Sequence, residues 1–501
     1  MSLKTKEEYF ESIRRLSLPV YVMGERVENV DHPIIRPSIN SVGVTYEIAQ
    51  DPQYEDLATA QSHISGNKIN RFCHIHQSTD DLRKKIKLLR LMGQKTASCF
   101  QRCAGLDAIN TLSAITYEME SELKTEYHQR FLNFLRTMQD EDLVCDAAMT
   151  DPKGDRSLSP SKQADPDMYL RIVKRNGKGI IVRGCKAHQT GALNSHWIAV
   201  VPTSAMRVED KDYTVAFVTP SNAKGITYVY GRQSCDTRKM EGGSIDMGNL
   251  NYGGHEAYMI FDDVFVPWEN VIMSGETPYA GRLVEIFANY HRTSYGGCKV
   301  GVADVLIGAA ALIAEYNGTA KASHIKDKLV EMVHLNETCH GCALAASSEG
   351  SRHSSGGYIV HGLLANVCKL NITRFPIEIS KIAQDLAGAV IGTTPSEKDF
   401  EIPVIGELIK KYMKGVANIS WEARVRCIRL IENITMGTGA VGFFTESIHG
   451  AGPPQAQRVM VSRYANLDMK KELAKRIAGI TNESETDTKE NEAATERMAK
   501  K

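Results

Sequence analysis

Neither sign of charge is in excess in this chain. Its 501 residues carry 60 Lys plus Arg and 60 Asp plus Glu, so no net field draws it to nucleic acid or to an anionic membrane. No run of 18 apolar residues occurs, and no membrane partner is expected. The first residues, Met1-Ser2-Leu3-Lys4-Thr5-Lys6-Glu7-Glu8, lack the apolar stretch of a secretion signal, so the expected location is cytoplasmic. No internal repeat is visible. The cysteines number 11 and are scattered. In a reducing compartment such cysteines are core residues, redox residues or metal ligands, not a disulfide framework.

What is present is apolar content of 42%, enough for a large core and for about three domains. Residues 1–145 read as mainly helical. Asp81 to Ile115 places Ile86, Leu89, Leu106, Ile109 and Leu112 at helical spacing. Residues 146–277 carry short β-rich runs at 180–182, 197–201, 213–218 and 226–230, with Asn176-Gly177 as a hairpin turn. That stretch reads as an antiparallel barrel or sandwich. Residues 278–479 return to helical patterns at about 300–316, 320–348, 363–386, 404–434 and 455–478. Residues 480–501 form a charged tail, either a solvated helix or disordered. The order helices, strands, helices defines an α+β chain without the βαβ alternation of a dinucleotide-binding fold.

Two short segments carry soft metal donors. Cys99 and Cys103 fall inside the first helical pattern, where i, i+4 spacing puts both thiols on one face. His291 and Cys298 stand at i, i+7, two turns apart on one face. Thiolates and imidazole suit an iron–sulfur cluster or zinc. Buried core cysteines and a Cys3His zinc site are the open alternatives, although structural zinc favours short C-x2–4-C loops. Two other motifs lack the context their chemistry needs. Gly437-Thr438-Gly439-Ala440-Val441-Gly442 matches G-x-G-x-x-G but follows a helical pattern, so it reads as a close-packing turn. Cys339-His340-Gly341-Cys342 is a C-x-x-C on an Ala-rich helix and reads as two core cysteines.

The segment Thr96-Ala97-Ser98-Cys99-Phe100-Gln101-Arg102-Cys103, together with His291 and Cys298-Lys299, resembles the dehydratase branch of the 4-hydroxyphenylacetate 3-monooxygenase family of flavoproteins. Asp31-His32-Pro33, Asp151-Pro152-Lys153-Gly154-Asp155-Arg156 and Gln384-Asp385-Leu386-Ala387-Gly388 resemble the wider family. The resemblance implies an acyl-CoA dehydrogenase-like fold, a homotetramer, FAD, and a [4Fe–4S] cluster held by Cys99, Cys103, Cys298 and His291. It implies dehydration of 4-hydroxybutyryl-CoA to crotonyl-CoA by a radical route, with vinylacetyl-CoA Δ-isomerisation at the same site. The C3 proton of that substrate is β to the thioester and not acidic. One-electron oxidation of the enolate by flavin would acidify it, and a Lewis-acidic iron would help hydroxide leave.

The same resemblance assigns roles. His291 would take the C2 proton. Glu446, in Thr445-Glu446-Ser447-Ile448-His449-Gly450, and Glu256, in Gly253-Gly254-His255-Glu256, would be active-site carboxylates with raised pKa values. Tyr295 would hydrogen-bond the substrate hydroxyl or a water, and Lys299 would offset negative charge. His188-Gln189-Thr190 would contact the flavin ring, and the 151–156 turn with the 384–388 segment would hold the rest of FAD. A phenol-hydroxylating flavin monooxygenase and a non-catalytic zinc protein are the competing readings.

Overall fold

The computed structural model describes residues 3–27, 30–235, 241–246 and 250–480. The charged tail, apart from Ile480, lies outside the described residues.

Three helices position the candidate site. Ser78 starts the first, Thr79–Thr96, by accepting a 3.1 Å hydrogen bond from the Asp81 amide, with Asp80 and Asp81 in its positive first turn. The second is Cys103–Leu123 and the third is Thr277–Tyr316. Both shorter helices pack along the third. Glycines let the first and third approach closely. A Cβ on Gly93 would sit 2.5 Å from the Cys298 carbonyl oxygen, and one on Gly297 would sit 2.7 Å from the Ile86 carbonyl oxygen. Gly93→Val is therefore expected to lower stability by about 1–3 kcal/mol, the usual cost of overpacking. A shift in denaturant midpoint would measure it.

Thr277–Tyr316 is, among the described residues, the one helix long and apolar enough to cross a membrane. Within the protein, 67% of its most apolar window is buried against other helices, as in a core helix. The remaining C-terminal helices are shorter than the sequence pattern implies. The 363–386 stretch breaks into Gly362–Ile372 and Phe375–Ala387, where Pro376 occupies the first turn of the second helix. The 404–434 stretch breaks into Ile405–Tyr412 and Trp421–Met436, with Ser420 capping the latter.

The strands form two main sheets. A six-stranded sheet runs Glu25–Val27, Val20–Val22, Ile226–Tyr230, Glu256–Pro267, Gly179–Thr190, Arg171–Asn176. A four-stranded sheet runs Val271–Ser274, Val215–Pro220, Trp197–Val200, Cys145–Ala148. Inward residues of both, including Val182, Ile198, Phe217, Tyr228, Met259 and Phe261, share one core. The Asn176 hairpin forms as its sequence predicts, and the Asn176 side chain accepts from the Lys178 and Gly179 amides. Two pairings are parallel rather than antiparallel: Val20 with Tyr228, and Cys145–Ala148 with Trp197–Val200. The first of these brings an N-terminal hairpin into the six-stranded sheet, so the first 145 residues are not helices alone.

Candidate active site

The expectation that Cys99 and Cys103 share one helix is corrected by the backbone. Ala97 takes φ 47° and closes the first helix, Gln101 takes φ 63°, and the second helix begins at Cys103. Cys99 therefore stands in a break between helices. That break is pinned from outside. Gln101 donates to the His255 carbonyl at 2.7 Å and accepts from Asn194 at 2.9 Å. His291 and Cys298 do lie two turns apart on one helix, Thr277–Tyr316.

The three thiols are brought together and buried, at 7%, 5% and 4% exposure for Cys99, Cys103 and Cys298. Cys103 and Cys298 are hydrogen-bond partners. That bond holds the Cys298 thiol below the usual range, and the same bond with burial pushes Cys103 well above it. Burial, followed by the Glu446 charge, raises Cys99. His291 Nδ1 lies 2.8 Å from the Asp107 carboxylate, and its ring meets Tyr295 edge-on at 5.1 Å. Among the described residues, no three His, Cys, Asp or Glu side chains surround a single point as one metal ion requires.

Beside the thiols lies a pair of carboxyl groups. Glu446 is ion-paired with Lys299, whose ammonium also donates to the Gly442 carbonyl at 2.5 Å. Burial alone would lower the Lys299 pKa, but Glu446 leads the negative neighbours that raise it. Glu256 begins its strand opposite Thr190, whose hydroxyl donates to it at 2.6 Å. Burial first, and then the neighbouring Glu446 charge, pushes Glu256 well above the ordinary carboxyl range. Burial also raises Tyr295, which lies under two ammonium groups, Lys299 at 5.3 Å and Lys369 at 4.3 Å from its ring centre. Gly442, the last glycine of the G-x-G-x-x-G match, packs on this centre, since a Cβ there would lie 3.3 Å from the Cys99 Cβ. No strand precedes that motif; it joins Trp421–Met436 to a π-helical turn at Val441–Thr445. The corner thus combines soft donors, a carboxyl group pushed towards its protonated form, and a buried carboxyl–ammonium pair.

The proposed flavin contacts divide into two groups. His188, at φ 60°, is exposed, and its pKa is lowered by partial desolvation and then by His449, Lys153 and Arg156. Lys153, Gly154 and Arg156 are thus gathered near His188, with Lys153 and Gly154 at positive φ. Asp151 turns inward instead. It accepts from the Leu170 amide and the buried Lys186 ammonium, so it anchors the turn from beneath. Pro152 follows it in the same turn, and Asp155 accepts from Ser157. Gln189 is buried and donates to the Ala187 carbonyl. Gln384, Asp385 and Gly388 line a separate cavity of about 480 Å³ with Lys381 and Phe444. Leu386 and Ala387 point into the helical core rather than into that cavity. The sequence reading missed Asp107, Lys85 and Lys369.

Family models for the 4-hydroxyphenylacetate 3-hydroxylase N-terminal and C-terminal regions match residues 5–273 and 280–479. The chain belongs to the 4-hydroxyphenylacetate 3-hydroxylase family. Within that family it is similar to 4-hydroxybutyryl-CoA dehydratases. It is 56% identical over 488 residues to the 4-hydroxybutyryl-CoA dehydratase/vinylacetyl-CoA Δ-isomerase of Clostridium aminobutyricum, covering 95% of this chain and 100% of that protein. An oxygen-tolerant archaeal 4-hydroxybutyryl-CoA dehydratase from N. maritimus superposes with TM-score 0.94 at 53% identity, over 96% of each chain. The oxygenase component of 4-hydroxyphenylacetate 3-monooxygenase, solved with FAD, shares the fold at TM-score 0.85 and 23% identity, over 97% of this chain and 100% of that one.

Proposed function

We propose that this protein dehydrates 4-hydroxybutyryl-CoA to crotonyl-CoA, with vinylacetyl-CoA Δ-isomerisation at the same site, using FAD and a [4Fe–4S] cluster. The 56% identity to the clostridial dehydratase/isomerase over nearly the whole chain carries this reading. The helix–strand–helix order also supports an acyl-CoA dehydrogenase-like architecture, and we place the working enzyme as a homotetramer.

The donor set fits the cluster. A single zinc needs every donor within about 2.3 Å of one point, whereas a [4Fe–4S] cube spreads its ligands over four irons. Three converging buried thiols and an imidazole on the adjoining face suit the second arrangement. Cys99, Cys103, Cys298 and His291 would hold the cluster, and the 151–156 turn with His188 and Thr190 would hold FAD. When bound, these groups supply one-electron exchange and Lewis acidity.

The chain's own residues handle the protons. Crotonyl-CoA has a methyl group at C4, so protons must leave C2 and C3 and one must return to C4. When not serving as a ligand, His291 would take the C2 proton, since Asp107 occupies Nδ1 and leaves Nε2 as the basic atom. Burial pushes Glu256 towards its protonated form, and Glu446 faces the Lys299 ammonium. Such a pair can accept and donate in turn. Tyr295 is kept as a neutral phenol, suited to orienting the C4 hydroxyl.

An anaerobic absorption spectrum with iron, sulfide and flavin counted per chain tests the reading. Flavin without iron and sulfide would favour a phenol monooxygenase, and zinc without flavin a structural protein. His291→Ala is expected to lower turnover at least about 100-fold, the scale of lost general base catalysis, while most of the iron stays. Normal turnover in that variant would remove His291 from its role as base.

A further inference from the structure

The side chain that most tightly constrains His291 is one that no sequence motif marks. Asp107 is fully buried, one turn beyond Cys103 on the same helix. Its Oδ1 receives the Lys85 ammonium, which is also fully buried and donates to the Tyr290 carbonyl at 3.3 Å. Its Oδ2 accepts from the Ser294 hydroxyl at 2.9 Å and lies 2.8 Å from His291 Nδ1. Asp107 therefore ties together all three helices that carry the site.

The pattern of donors fixes where the imidazole proton lies. A carboxylate ion-paired to an ammonium is an acceptor only. The proton it shares with His291 thus belongs to Nδ1, leaving Nε2 with a free lone pair. A burial this deep makes the pair costly to break, because a lone charge would be left inside. The same logic holds wherever a carboxylate orients a metal-binding histidine.

We propose that Asp107, braced by Lys85 and Ser294, is the positioning residue that sets the tautomer and the angle of His291 towards the cluster. This rests on the cluster reading above. It assigns Asp107 a task distinct from the four ligands: it keeps Nε2 free of hydrogen and aimed, without touching substrate or iron.

Asp107→Asn tests it. Lys85 claims the one remaining carbonyl oxygen, so the amide NH2 faces Nδ1 and drives the proton to Nε2. Electron–nuclear double resonance on the reduced holoenzyme reads the hyperfine coupling of an iron-bound nitrogen. The wild type is expected to show that coupling, and Asp107→Asn to lose it with thiolate ligation retained. Turnover is expected to fall about 10–100-fold, the usual effect of an outer ligand partner. A variant that keeps the coupling and the rate overturns the assignment. The wild-type enzyme provides a second test that does not depend on the variant folding. Histidine labelled with heavy nitrogen at Nε2 alone is expected to change the coupling. A change from label at Nδ1 instead overturns the proposal. Wild-type protein without iron and sulfide overturns the proposed function itself, which separates the two failures.

Discussion

Cys298→Ala is expected to lose iron, sulfide and turnover together, with the rate falling at least about 1,000-fold, the scale on which members of one catalytic unit fail. Cys298 is the thiol held lowest, because Cys103 donates to it, and it lies where two helices meet at Gly93. On the proposed reading, removing it takes a ligand from the cluster, and it leaves Cys103 without its partner. The helix itself should persist, since alanine is a good helix former and the site is small. Thermal melting would therefore move far less than iron content. Iron and sulfide at wild-type levels in this variant would show that the three thiols do not serve one cluster.

The second large effect is expected at Glu256. Glu256→Gln keeps the shape and the Thr190 contact but removes the exchangeable proton, so turnover should fall about 100- to 10,000-fold. The stability change runs the other way with pH. Glu256 has a folded pKa raised well above its ordinary 4.5. Above about pH 4.5 the unfolded chain gives up this proton while the folded one keeps it, so the group's contribution to stability is lost as pH rises towards the folded value. Glutamine has no such dependence. The variant should therefore gain melting temperature relative to wild type as pH increases from 5 to 8. A difference that does not change with pH would mean Glu256 is already ionised in the folded protein, and that the acid lies elsewhere.

Sequence singled out the candidate site chiefly through short segments that resemble the family. The Cys99, Cys103, His291 and Cys298 set stands out through the family resemblance, since its spacing alone fits buried core cysteines or zinc equally well. The break that carries Cys99 was not visible. Ala97 and Gln101 adopt left-handed conformations without being glycine, and tertiary contacts from Asn194, His255 and Gly191 hold Gln101 there. Lys85 and Asp107 were invisible for a related reason. In sequence, a lysine and an aspartate on two helices look like solvent-facing residues; only the packing shows that they face each other in the core. The order of the sheets was partly legible. Hairpins such as Arg171–Thr190 announce themselves through turn chemistry, whereas the parallel pairing of Val20–Val22 with Ile226–Tyr230 links segments far apart in the chain. Local pattern carries no information about such a partner. Leu386 and Ala387 face the helical core, and a motif of five residues does not say which of its side chains turn inward on a helix.

His291, Tyr295, Cys298 and Lys299 all ride on one uninterrupted helix. Each residue added to or removed from a helix turns everything beyond it by about 100°. An insertion or deletion between positions 291 and 298 would rotate the imidazole away from the thiolate side while leaving both chemically intact. Natural variation along this rod should therefore consist of exchanges at constant length, and gains or losses of residues should be confined to the connecting loops.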